Sequence, residues 1–526
     1  MQRQKSLFQG SRLYPQAKEG SLELLRILYS NIRSLSSKAF QDLTNGSEFI
    51  TIKDMKSLDS FIKKSKSYVQ KKCSNISAYH AIPILEEAVV RYYTSNNDDS
   101  LHLVGPGLKH TIAVVWNNLH GTTSNETSSL SKITEAVISC IIFEQISMFK
   151  YLYEVLDEFE IYYDGVNIRL PEEIQDYVEE CNDCFKLRGR SHRTLNDSIQ
   201  AIWNQPEVAL ESLNNILNGE SCSKQSAFKG TIFERIPEDV PLKFWAGIWA
   251  RLTLAIQAIS VRNVIDSDTQ ELTKGICIFE PHLVISKGKN DVVRQQAIQD
   301  CFWNRTWYRE NIKKLTSNMI VERPILRISI NGVDLFSTTI FFILDSLNWF
   351  VESAVLGYPD APVKLSSKVF ENSISIPFES EVQQVLIKYG FEAGEVSKKQ
   401  YWSNQGRGIV HNNDEKIPGQ IDVLAYNEER KLSIVIDCKV LAYPYRYSTM
   451  KNIMGKTGSL DTEGFHSKLK DKINWLKNTI EFSGIPDINF YGLIVLDRKL
   501  PVFDQGEYPV VFIEELIELL ERITKG

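Results

Sequence analysis

Through most of the first half of the chain, apolar residues recur at intervals of three and four: Leu24, Leu25, Leu28 and Ile32, then Ile133 to Leu156, then Phe244 to Ile265. That spacing follows the roughly 3.6-residue turn of an α-helix and predicts helices that each bury one stripe against their neighbours. Polar segments such as Ser95-Asn96-Asn97-Asp98-Asp99-Ser100 and Gly121-Thr122-Thr123-Ser124-Asn125 punctuate the pattern, and no repeat of constant period runs through it. A mostly α-helical region is expected over residues 1–270.

Between 271 and 360 the pattern changes. Gly275–Ser286 is rich in Ile and Val, and Ile325–Ile330, Asn331-Gly332 and Val333–Ser337 read as strand, two-residue turn and strand, because Asn-Gly tolerates the positive φ of a hairpin turn. An apolar helix from Ile340 to Leu356 follows, and then a Gly-, Pro- and Ser-containing link from Gly357 to Ser375, where a domain boundary is expected. Residues 370–526 read as helix (Phe378–Tyr389), strand or irregular chain (Phe391–Trp402), strands (Gln420–Tyr426 and Leu432–Leu441), helix (Phe465–Ile480), strands (Asn489–Leu496 and Val510–Phe512) and helix (Ile513–Ile523). The expected fold class is therefore a multidomain α+β protein: a helical N-terminal region with a small β-hairpin element, then a C-terminal α/β domain with a mixed sheet flanked by helices.

Length agrees with this division, since 526 residues exceed the ~250–300 at which single cores stop growing. The net charge of −6 excludes a surface coated in positive field, so contact with a polyanion must be local. One stretch is suited to it. From Lys439 to Lys477, eight basic residues face three acidic ones, a net +5 inside an acidic chain. Eight cysteines scattered through a long chain, with no apolar run at its start, lead to the expectation of reduced thiols and a cytoplasmic location. The apolar runs Ile138–Phe149 and Ile340–Leu356 are interrupted by Glu144, Asp345, Asn348 and Glu352, and no membrane association is expected.

The chemistry concentrates near the C-terminal end. Gly419-Gln420-Ile421-Asp422-Val423 is followed by Ile434-Val435-Ile436-Asp437-Cys438-Lys439. Pairing of those strands would gather Asp422, Asp437 and Lys439 at one sheet edge, and alternation points residues 437 and 439 to the same face with Cys438 away. Phosphodiester hydrolysis needs an activated water, neutralised phosphoryl oxygens and a stabilised leaving alkoxide, all of which a hard cation held by carboxylates can supply. A lysine beside it can polarise the water or a phosphate oxygen.

These residues resemble the signature of the PD-(D/E)XK, or restriction-endonuclease-like, nucleases. The preceding Phe378-Glu379-Ser380-Glu381-Val382 is similar to the first helix of that fold, and Tyr491–Leu496 with Tyr508–Leu520 is similar to its end. The resemblance covers about the last third of the chain. It implies a Mg²⁺-dependent site, with Mn²⁺ able to substitute, in which Glu379, Asp422, Asp437 and the Cys438 backbone carbonyl bind metal and Lys439 acts on water and charge; Glu381 is the alternative helix acid. It implies a nuclease acting on nucleic acid, DNA before RNA and endonuclease before exonuclease. By analogy of fold, the setting is bacterial restriction or anti-phage defence, with the helical region serving recognition, regulation or a protein partner. A homo-oligomer is compatible with this reading.

Each element also has a plainer reading. An isolated Asp-x-Lys is usually a solvated strand edge, and it is the second acid and the helix that change its meaning. Gln420, Arg446, Lys468 and Lys472 are candidate nucleic-acid contacts; on the helix from Phe465, Leu469, Ile473, Leu476 and Ile480 form the core stripe, while Lys468 and Lys472 lie four apart on another face that is either solvated or phosphate-tracking. Tyr443, Tyr445 and Tyr447 can stack on bases or simply pack around Pro444. Cys181-Asn182-Asp183-Cys184, with His192 and Cys222 nearby, has half of a zinc pattern, and plain thiols are the expectation. His411 and His466 flank the motif without an assigned role, and no phosphate-binding Gly-x-x-x-x-Gly-Lys-Ser/Thr loop occurs. The competing functional readings are an interaction scaffold and a nuclease subunit that needs a partner.

Overall fold

The computed structural model describes residues 13–94, 104–120, 127–152, 159–163, 168–169, 193–220, 228–237, 239–265, 276–279, 290–311, 318–330, 333–358, 361–403, 416–441, 453, 456–457, 464–479, 489–498 and 506–525. The chain folds into two compact units. One comprises Met1–Gln175, Gln205–Ser223 and Pro241–Val351; the other comprises Asp176–Asn204, Lys224–Val240 and Glu352–Gly526. The helical region and the hairpin region, separate in the sequence pattern, thus share most of one unit, and two segments from the helical half belong with the C-terminal unit.

The first unit is built on helices Leu13–Thr44, Met55–Cys73, Ala78–Thr94, Val104–Val115, Leu130–Leu152, Pro206–Asn218 and Leu242–Ile265. Val104–Val115 is buried almost all round, which an apolar helix at the centre of a bundle requires. Ile276–Phe279 and Leu326–Ile330 flank Val333–Thr339 in an antiparallel sheet, as the hairpin pattern predicts; the Asn331-Gly332 turn itself lies outside the described residues.

Labels below refer to the C-terminal unit. Its strands are β1 (Glu392–Val396), β2 (Ile421–Asn427), β3 (Leu432–Lys439), β4 (Asn489–Leu496) and β5 (Val510–Phe512). Its main helices are α1 (Ile376–Lys388), α2 (Phe465–Thr479) and α3 (Ile513–Lys525). The sheet order is β5-β4-β3-β2-β1, with β1, β2 and β3 antiparallel and β3, β4 and β5 parallel. A mixed sheet covered by helices is thus observed. Val423, Ala425, Ile434, Ile436, Leu493 and Val495 pack one face against α1 and α3; Leu424, Tyr426, Val435, Ile494 and Leu496 pack the other against Leu469, Ile473 and Leu476 of α2. Gly492 allows α2 its close approach, because a Cβ there would lie 2.4 Å from the Tyr508 ring and 2.7 Å from Ile473.

The expected link over Gly357–Ser375 is partly helical. A turn at Ser367–Phe370 runs through a wider, five-residue-spaced turn at Glu371–Ser375 directly into α1. Pro377 explains the widening: it has no N–H to donate to the Ser373 carbonyl four residues back. Ile376 N–H donates to Glu371 O instead, and Arg235 Nη1 donates to the freed Ser373 carbonyl at 3.5 Å. Glu379 lies in the first turn beyond this irregularity.

Candidate active site

Strand β3 is the middle strand of five, so its charged residues lie at the centre of the sheet, at the carboxyl end of β3, and not at the sheet edge expected from the hairpin alone. One position beyond the registered pair Val423↔Ile436, Asp422 stands across from Asp437. Opposed residues of an antiparallel pair share a face, and alternation adds Lys439 to it. This is the α2 face. The apolar residues Ile434 and Ile436, with Leu432 beside them, face the opposite way, toward α1.

Asp437 is 1% exposed and lies between two ammonium groups. Lys472 Nζ donates to Oδ1 at 2.6 Å, and Lys439 Nζ lies 2.7 Å from Oδ2. Burial opposes ionisation of Asp437, but the two lysines outweigh it and hold its pKa below the usual aspartate value. Lys439 also reaches Asp422 Oδ2 at 3.5 Å, donates to the Cys438 carbonyl at 3.1 Å and lies 5.5 Å from the centre of the Phe465 ring. Burial works against its charge, and Asp437 and Asp422 reverse the effect, raising its pKa.

Asp422 is buried, and its Oδ2 accepts the Cys438 N–H at 2.8 Å. Burial raises its pKa, with Lys439 acting in the other direction. Glu379 is half-buried at the end of α1. Burial first, then the negative charges of Asp422 and Glu395, push its pKa up to about 8, against the pull of Lys439. The four expected residues are thus electrostatically coupled. Glu381, the alternative acid, is also half-buried. The Cys438 thiol is buried on the opposite face, leaving only its backbone to serve the site, and burial together with Asp422 and Glu379 drives its pKa well upward.

The proposed nucleic-acid contacts separate. Lys468 is exposed, Gln420 is half-buried just before β2, and Arg446, with the three tyrosines around it, lies outside the described residues. Lys472 corrects the expectation of a shared lysine face: it is 8% exposed and paired with Asp437. Its position had a signal in the sequence, because it lies three residues after Leu469 and four before Leu476, on the border of the apolar stripe. Glu395, which acts on Glu379, and Phe465, beside Lys439, were not anticipated; neither belongs to a spacing that reports charge proximity.

His466 has a structural place. Its Nε2 pairs with Thr457 O at 2.6 Å, its Nδ1 accepts the Tyr508 N–H at 3.3 Å, and its ring stacks on Tyr508. His411 and the half-zinc pattern of Cys181, Cys184, His192 and Cys222 lie outside the described residues. The cysteines at 73, 140, 301 and 438 are buried free thiols.

The donor set suits a hard divalent cation: carboxylate oxygens of Asp422, Asp437 and Glu379 and the Cys438 carbonyl. Asp437 Oδ2 is buried, and its described contact is the ion pair with Lys439 at 2.7 Å. As folded, the positive charge comes from lysines, and among the described residues no group of three or more His, Cys, Asp or Glu side chains is gathered closely enough to hold a metal. No helix among the described residues is long and apolar enough to cross a membrane. No protein-family model, curated protein or solved structure matches the chain.

Proposed function

We propose that the C-terminal unit is a divalent-metal-dependent nuclease of the PD-(D/E)XK type. The observation that carries this reading is the pairing of buried Asp422 and Asp437 across adjacent strands, with Lys439 bridging them and Glu379 close enough to feel Asp422 and Lys439. Clustered buried carboxylates are costly, and replacing such ionic groups by apolar ones is often neutral or stabilising, so their presence calls for a use. The order of helix, antiparallel strands, helix and parallel strand agrees with the resemblance in the sequence.

Asp422, Asp437 and the Cys438 carbonyl would hold Mg²⁺ or Mn²⁺, with Glu379 joining once ionised. The ion, when bound, supplies Lewis-acid charge at the phosphoryl oxygens and lowers the pKa of a water. Lys439 orients that water or the developing phosphoryl charge from a position set by Asp437. Phe465 covers the lysine and limits its solvation. The substrate is nucleic acid, DNA in the first instance, cut internally; the helical unit serves recognition or regulation, in a setting of host defence against foreign DNA.

A second reading has its own support. Both carboxylates already have ammonium partners, and a Glu379 pKa of about 8 leaves that side chain largely protonated at neutral pH. This favours a nuclease subunit whose site assembles when a partner or substrate arrives. The test of both is cleavage of plasmid, linear, single-stranded and RNA substrates with Mg²⁺. Cleavage abolished by EDTA, by Asp437→Asn and by Lys439→Ala supports the nuclease; undiminished cleavage by both variants removes it. Metal binding without cleavage points to the partner-dependent form.

A further inference from the structure

The geometry points to Lys472 as an internal counter-ion that competes with the metal for Asp437 and so sets how much divalent cation the site requires. This inference rests on the metal-site reading above. Burying a lysine costs side-chain entropy and desolvation, and a carboxylate already partnered by Lys439 needs no second cation for neutrality. Lys472 is nevertheless buried at 8% exposure, with Nζ 2.6 Å from Asp437 Oδ1. It comes from α2, whereas Lys439 comes from the same strand as Asp437.

Two carboxylates and two ammonium groups leave the centre close to neutral, so a dication entering beside both lysines meets like charge on each side. One lysine must give way. Lys439 is tied to Asp437, Asp422 and the Cys438 carbonyl, while the described hydrogen bond of Lys472 is to Asp437, with Asp422 felt only through its charge. Gly419 lies beside the Lys472 stem without crowding it: a Cβ at 419 would meet Lys472 Cε at the ordinary contact distance of 3.8 Å, and its φ of +154° is one that favours glycine. When Lys472 swings off Oδ1, that oxygen of Asp437 becomes available to the metal, and the ammonium becomes available to a phosphate.

The inference is tested by calorimetric titration of the metal-free full-length protein with Mn²⁺, using wild type, Lys472→Met, Lys472→Gln, Lys472→Arg and Asp437→Asn, together with thermal melts of each. Lys472→Met and Lys472→Gln are expected to bind Mn²⁺ about 10-fold more tightly than wild type, equivalent to ~1.4 kcal/mol. Lys472→Arg, which retains the charge, shows no tightening. Without metal, Lys472→Met melts below wild type, and Mn²⁺ raises its melting temperature by more than it raises that of wild type. Unchanged or weaker Mn²⁺ binding in the Met and Gln variants overturns the inference while leaving the metal site in place. If Asp437→Asn binds Mn²⁺ as wild type does, the metal-site reading fails and takes the inference with it. Should Lys472→Met not fold, Lys472→Gln, which keeps a donor for Asp437, decides the question.

Discussion

The helical unit and the sheet unit both bury charge, but they neutralise it differently. In the helical unit buried charges meet in pairs, Lys109 with Asp345, His110 with Glu144 at 2.8 Å and Glu87 with Arg91 at 3.0 Å, while buried Arg251 donates to the neutral Ser346 hydroxyl and Gly247 carbonyl. Glu86, buried without a cation, accepts from the Ser337 hydroxyl, and burial pushes its pKa up to about 8, so it is largely neutral at pH 7. The sheet unit also has a buried pair, Arg498 with Glu352 at 2.8 Å, but at the candidate site the charges form a chain, Lys472 to Asp437 to Lys439 to Asp422, with Glu379 at its electrostatic edge. Lys109–Asp345 and His110–Glu144 join different helices, and a closed pair leaves no charge to spare. An open chain can admit a further charge by local rearrangement, which is what a binding site needs and a core does not.

Removing one acid from each unit gives the strongest test of that contrast. Asp437→Ala leaves two buried ammonium groups facing each other and should cost ~3–5 kcal/mol in urea unfolding, the range for breaking a buried pair from one side. Asp345→Ala, which leaves Lys109 4.7 Å from the centre of the Tyr93 ring, should cost less, ~1–3 kcal/mol. Equal losses would erase the distinction.

A smaller effect follows from the two raised glutamates. Each folded-state pKa is about 8 against an ordinary 4.5, so the native state retains a proton that the unfolded chain releases, and each group's contribution makes stability fall as pH rises through that window. Glu86→Gln and Glu379→Gln should each flatten the decline measured by denaturation between those pH values. Mn²⁺ should flatten only the part due to Glu379; an equal effect on both would sink the contrast.

Gly492→Ala comes next. It should cost ~1–3 kcal/mol by forcing Tyr508 and Ile473 away from β4, with Mn²⁺ affinity changing as α2 carries Lys472 with it. The smallest effect is that of Lys468→Ala, expected within ~0.5 kcal/mol of wild type in stability because its side chain is exposed. A larger change would place Lys468 in the same network as Lys472.

Much of this molecule was legible in its residues. Helical spacing over Phe244–Ile265 marked the helix Leu242–Ile265, Asn489–Leu496 and Val510–Phe512 emerged with the expected bounds, and two-residue alternation put Asp437 and Lys439 on one face. These are local properties, in which backbone geometry alone converts sequence spacing into direction. Pro377 is a local cause as well, although it was not singled out in the sequence and the carbonyl it frees is met by Arg235, far away in sequence.

What the sequence determined by itself was therefore the order and type of the main strands and helices in the C-terminal unit and the shared face of Asp437 and Lys439, because both depend on short-range periodicity; Glu379 came only from the resemblance. Only the tertiary structure decided that β3 lies at the centre of the sheet, that Glu379 feels Asp422 and Glu395, and that Lys472 turns inward to Asp437. Strand order and the reach of a long side chain depend on which surfaces pack together across tens of residues, and that packing sets the distances on which charge acts.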